Sequence, residues 1–120
     1  MTIAKGDKIP AATFVKMTEN GPEQVESASF SAGRKVALFS VPGAFTPTCS
    51  AKHLPGYVEK AAELKARGVD EIACTAVNDA FVMGAWGKSA NADGKVTMRA
   101  DGNGDFATAV GLEMDGSNFG

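Results

Sequence analysis

Histidine, tryptophan and tyrosine occur once each in these 120 residues, and cysteine only twice. One histidine and two cysteines fall short of the roughly four ligands that a structural zinc site needs, so no metal is expected. Cys49 and Cys74 are also too few for the disulfide framework of a small secreted domain, which favours a reducing compartment. No apolar run approaches the roughly 20 residues that cross a bilayer, and the first ten residues lack the apolar stretch of an export signal. An excess of either charge is missing as well. The net charge is -2 with both signs mixed along the chain, which gives nucleic acid and anionic membranes no electrostatic handle. Together these absences lead to the expectation of a soluble, cytoplasmic protein.

What is present is enough apolar content, 44%, for one domain with one core across residues 1–120. Ala12–Met17 and Glu23–Val25 flank the turn signal Glu19-Asn20-Gly21-Pro22, which predicts an N-terminal hairpin. Beyond it, strands at Val36–Ser40, Asp70–Val77 and Val96–Arg99 alternate with helices at Ser50–Arg67, Asp79–Ser89 and Asp105–Val110. This alternation makes the class α/β, with parallel strands covered by helices. Pro55 falls inside the first of these helices and is expected to kink it or to separate its first turn from the rest.

The densest chemical signal is Val41-Pro-Gly-Ala-Phe-Thr-Pro-Thr-Cys-Ser50. It sets Cys49 at the start of a helix, directly after an apolar strand. Leu54, Tyr57, Ala61 and Leu64 mark the buried face of that helix, and Gly68 stands where its cap belongs. The free N–H groups and positive dipole end of a helix start favour a thiolate over a thiol, which makes Cys49 a candidate nucleophile. Thr46 stands three residues before it, and its hydroxyl is expected to donate to the sulfur or to a bound oxygen. Pro42 and Pro47 are expected to stiffen the loop and keep water away. Thr46-Pro-Thr-Cys49 has the spacing of a Cys-x-x-Cys redox motif with threonine in place of the first cysteine, which removes a partner for intramolecular disulfide chemistry.

Pro42, Thr46 and Cys49 form the Pro-x-x-x-Thr-x-x-Cys signature of peroxiredoxins, and the segment most resembles the type II, or type 5, subfamily. The resemblance continues through His53-Leu-Pro-Gly56, Ala76-Val-Asn-Asp-Ala-Phe-Val82, Trp86-Gly87 and Ala100-Asp-Gly-Asn-Gly-Asp-Phe106. It implies a thioredoxin-like fold and reduction of hydrogen peroxide or organic hydroperoxides, with Cys49 passing through a sulfenic acid. It assigns Thr46 as hydroxyl partner, Pro42 as shield, and the amides of Cys49 and of Gly43 or Ala44 as donors to the peroxide. No metal, flavin or haem is implied. The expected partners are the peroxide, an external thiol (glutaredoxin, thioredoxin or glutathione) and a second copy in a homodimer.

The resemblance also implies an arginine at the site, on a strand that would follow residue 120; Arg34, Arg67 and Arg99 sit in other contexts. The expectation is therefore a domain that continues beyond Gly120, with one sheet edge and some apolar surface uncovered in this stretch. The family's usual resolving cysteine would fall there too. Cys74, inside Glu71-Ile-Ala-Cys-Thr-Ala-Val77, reads as a small hydrophobe of a buried strand. His53 is open between a group near the thiolate that helps bind substrate and a plain, partly buried histidine. Trp86 is open between a pocket or subunit contact and ordinary core. Asp101-Gly-Asn-Gly-Asp105 starts like a calcium loop but has Phe106 and Leu112 where glycine and glutamate are needed, so it reads as a turn and helix cap. The rival to a peroxidase is a catalytically weak thioredoxin-like module that binds a partner.

Overall fold

The structure, a computed structural model, describes residues 2–119. Strands β1 (Thr13–Thr18) and β2 (Gly21–Glu26) form the expected hairpin. The turn is tighter than the sequence suggested: Thr18 pairs with Gly21, so Glu19 and Asn20 alone make it, and Pro22 lies within β2. Proline is tolerated there because β2 is an edge strand whose free side needs no donor. A short helix that the pattern did not announce, α1 (Ser27–Ser31), follows. At its start Ser27 Oγ accepts from the Ala12 amide and donates to the Pro10 carbonyl.

The alternating part then runs β3 (Val36–Ser40), α2 (Leu54–Ala66), β4 (Glu71–Ala76), α3 (Ala80–Ser89), β5 (Thr97–Ala100) and α4 (Asp105–Ala109). The sheet order is β2-β1-β5-β4-β3. Strands β3, β4 and β5 are parallel, whereas β1 runs antiparallel to both β2 and β5. This is a mixed sheet flanked by helices, the thioredoxin-like arrangement. β3 is the second edge, without a partner on its outer side among the described residues.

Period-two alternation sends the strand side chains into two apolar layers. Phe39, Ile72, Cys74 and Ala100 face α2 and α3, where Leu54, Ala61, Met83 and Trp86 close the layer. Phe14 and Ala73 face the other way, onto Phe30 of α1, Phe106 of α4 and Val110 directly after it. Asp101 caps α4 by accepting from the amides of Phe106 and Ala107 at 3.0 and 2.9 Å, the cap role expected of the Asp101–Asp105 turn. Asp79 does the same for α3, accepting from Val82 N at 2.8 Å.

Pro55 leaves its mark where it was expected, in an unexpected form. The helix that carries Cys49 begins with Pro47 and Thr48, widens into a π-helical turn over Cys49–His53, and becomes α-helical at Leu54. In that turn the Leu54 amide reaches back five residues to the Cys49 carbonyl. The wider turn accommodates a ring that lacks an N–H and would clash with the carbonyl four residues earlier.

Candidate active site

Cys49 sits where β3 and β4 release the chain at their C-terminal ends, the position at which parallel α/β sheets hold their sites. The ladder extends one step past β3, from the Val41 amide to the Thr75 carbonyl at 3.0 Å, and the loop then turns away. Three features hold its shape. The Thr46 hydroxyl donates to the Gly43 carbonyl at 2.7 Å, and Asn78 Oδ1 accepts from the Ala44 amide at 2.9 Å. Gly43 keeps the loop close, since a Cβ there would lie a tight 3.1 Å from the Thr46 methyl. Between these anchors Phe45 adopts φ 61°, a left-handed conformation that costs a bulky residue on the order of 1–3 kcal/mol. A loop that holds such strain is built to one shape.

The helix ladder begins at the Ser50 amide, which donates to the Thr46 carbonyl at 2.9 Å. The amides of Thr48 and Cys49 therefore precede the ladder and face the dipole's positive end, as the helix start required. Cys49 itself is only 4% exposed, within the layer that includes Phe39, Val41, Ala44, Leu54 and Trp86. A buried sulfur beside free donors is suited to a small, polar electrophile and is closed to a large one.

Several expectations change at this level. The Thr46 proton lies on the Gly43 carbonyl, so toward the sulfur the hydroxyl offers lone pairs in place of the expected donated hydrogen bond. The Ala44 amide is taken by Asn78, which leaves the Gly43 amide, without a partner among the described residues, as the donor of the two. Pro42 is exposed at the rim, so the burial of Cys49 comes from the apolar layer. His53 does not join the loop: its ring packs against Phe39 and Tyr57, with centroids 5.1 and 5.9 Å away, beside a Phe39–Tyr57 stack at 3.8 Å. Arg34 and Arg99 are both engaged by Glu71, at 2.8 and 3.1 Å, and Arg67 by Glu63 at 3.4 Å, consistent with the other contexts read for them. Burial pulls the Arg99 guanidinium below its ordinary range, opposed by the Glu71 charge.

Sequence reasoning did not single out Asn78 or Ser50. Asn78 is separated from the loop by a strand and a helix, and Ser50 has a partner, Trp86, 36 residues away. A signal for the second existed, because the indole N–H of a lone core tryptophan must find an acceptor.

Cys74 is fully buried in β4, and both cysteines are free thiols. Burial, followed by the charge of Cys49, pushes the Cys74 thiol from 9.0 up to about 12. The folded protein thus keeps a proton that the unfolded chain releases. Its stabilising effect is complete below pH 9.0 and is lost as the pH climbs toward about 12. At about pH 10.5 the wild type should have lost roughly 2 kcal/mol relative to Cys74→Ala. Urea unfolding of both proteins at about pH 8 and about pH 10.5 checks this; a difference between them that does not move with pH would contradict it.

Comparisons with known proteins bear on the family and the fold. The redoxin family model matches residues 4–119. The chain is 54% identical over 114 residues to Peroxiredoxin-2B of Arabidopsis thaliana, covering 94% of this chain and 70% of that protein. The chain belongs to the peroxiredoxins. It is also 55% identical to the chloroplastic Peroxiredoxin-2E-2 of Oryza sativa subsp. japonica, over 95% of this chain and 52% of the rice protein. The chain thus spans between about half and seven-tenths of these curated relatives' lengths. Among solved structures, reduced Prx3 of Vibrio vulnificus in complex with hydrogen peroxide superimposes with a TM-score of 0.96 at 52% identity, covering 99% of this chain and 75% of that one. Membership carries the peroxiredoxin chemistry, thiol-dependent reduction of peroxides, and the thioredoxin-like fold.

Proposed function

We propose that this chain reduces hydrogen peroxide and organic hydroperoxides through a sulfenic acid on Cys49, and that an external thiol returns it to the resting state. The observation that carries the reading is the shaped loop around a buried cysteine at a helix start. The Cys49 thiolate attacks one peroxide oxygen; a sulfur–oxygen bond forms as the oxygen–oxygen bond breaks. The other oxygen leaves with the bonding pair and takes a proton, giving water or an alcohol. Thr46 Oγ1, its own proton on the Gly43 carbonyl, accepts the peroxide O–H and orients it. The Gly43 and Cys49 amides stabilise the negative charge as it moves across the breaking bond. One thiol then condenses with the sulfenic acid, forming a mixed disulfide and water. A second thiol displaces Cys49, which is reduced while the two external thiols are oxidised to a disulfide.

Glutaredoxin, thioredoxin and glutathione all fit the second half of this cycle. Cys74 does not supply the resolving thiol, since burial keeps it protonated and weakly nucleophilic. A homodimer is proposed from the exposed apolar side chains of Phe45, Val77 and Phe81, 54, 51 and 65% exposed, which flank the loops joined by the Ala44–Asn78 bond. A cytoplasmic setting is proposed because two free thiols are maintained in a reducing compartment.

The test is a stopped-flow titration of the reduced protein with hydrogen peroxide, followed by dimedone trapping. Wild type should consume one equivalent and carry the dimedone adduct on Cys49, formed as the sulfenic oxygen leaves as water. Thr46→Val, which keeps the shape but loses the hydroxyl, should slow that step by about 10²-fold, whereas Thr46→Ser should retain most of the rate. Absence of any Cys49 adduct would return the chain to the reading of a partner-binding module.

A further inference from the structure

Cys49 faces two demands that one conformation does not meet. Peroxide is small and is met by the closed, 4% exposed sulfur, but a sulfenic acid that buried is out of reach of glutathione or a protein thiol. The turn that carries it must open and close, and the structure contains a side-chain bond suited to setting that balance. Trp86, 1% exposed on α3, donates its indole N–H to Ser50 Oγ at 3.0 Å. Ser50 follows Cys49 directly, inside the π-helical turn Cys49–His53. That turn is a weak stretch of helix, bounded by the strained Phe45 loop on one side and by Pro55 on the other. α3, by contrast, is capped by Asp79 and anchored in the core by Met83 and Trp86.

We infer that Ser50 and Trp86 are positioning residues which pin the Cys49 turn to α3, holding the closed form that reacts with peroxide and limiting the opening through which the sulfenic acid meets its reductant. Both act through the position of Cys49. This inference rests on the peroxidase reading for its meaning, but its test uses no peroxide.

The test is the rate of iodoacetamide alkylation of the reduced protein, resolved by peptide mass spectrometry into Cys49 and Cys74. A hydrogen bond that closes the turn contributes about fivefold to the closed-to-open ratio. Ser50→Ala should therefore raise Cys49 alkylation about fivefold, and so should Trp86→Phe, which keeps an aromatic ring but has no donor. The double variant should react no faster than the faster single one, because both changes break the same bond. Ser50→Thr, which keeps the acceptor, should return the rate to wild type. Cys74, fully buried in β4, reports global unfolding and should stay unchanged throughout. Should Trp86→Phe fold poorly, the Ser50→Ala and Ser50→Thr pair decides alone. In turnover, Ser50→Ala should lower the rate constant for peroxide while lowering the KM for the thiol. Equal Cys49 rates in Ser50→Ala and wild type, independent effects that multiply in the double variant, or a parallel rise at Cys74 would each overturn the inference.

Discussion

Cys49→Ser is expected to reduce peroxide consumption to the rate of the thiol reductant alone, a loss of at least about 10³-fold. Serine nearly matches cysteine in shape, so the loop anchored by Thr46 and Asn78 stays in place. What disappears is a sulfur nucleophile whose anion attacks oxygen as a soft centre; a serine hydroxyl does not do so without a general base. Among the described residues the one histidine, His53, is packed with Phe39 and Tyr57 and is not placed to act as that base. The measurement is steady-state peroxide consumption with dithiothreitol as reductant, with circular dichroism to show that the variant is folded. Cys74→Ala serves as the companion. If the serine variant kept wild-type turnover while the alanine variant lost it, the assignment of nucleophile would be reversed.

The largest effect on stability is expected at Phe14, far from the sulfur. Its side chain is fully buried on β1, edge-on to Phe30 at 5.6 Å and tilted against Phe106 at 4.9 Å. It thereby ties the hairpin, α1 and α4 into a single layer. Phe14→Ala removes the ring from between two others and leaves a cavity, a change that costs about 3–5 kcal/mol. Domains of this kind hold about 5–15 kcal/mol in all, so the variant should show a sharply lowered urea midpoint or be unfolded at room temperature. Phe14→Leu should fall between it and wild type. Were the hairpin an independent appendage, Phe14→Ala would instead melt β1 and β2 and leave the main transition unmoved.

The site was unevenly legible in the sequence. Cys49 could be placed because its setting is local: an apolar strand, a Pro-Gly turn and a helix periodicity follow one another within thirty residues. The disturbance at Pro55 was equally local, since a ring without an N–H must be accommodated wherever it falls in a helix. The direction of the Thr46 hydroxyl was not legible, because spacing brings it near the cysteine without saying which neighbour takes its proton. Only the curl of the loop brings the Gly43 carbonyl to 2.7 Å. His53 shows the same limit, for the sequence left it open between a group near the thiolate and a plain, partly buried histidine, while the packed rings of Phe39 and Tyr57 provide its neighbours.

The sequence by itself determined the α/β alternation, the hairpin, the place of the candidate nucleophile at a helix start and the likeness to peroxiredoxins. Each of these rests on patterns a few residues long, in which backbone geometry and side-chain type decide the outcome together. Only the tertiary structure decided which donors remain free around Cys49. Asn78, at the end of a different strand, occupies the Ala44 amide, and Trp86, from a different helix, reaches Ser50. The physical reason is that hydrogen bonds between distant segments depend on how strands are ordered in the sheet and how helices lie upon it. Those arrangements are set by the packing of the whole core, and no stretch of sequence contains them alone.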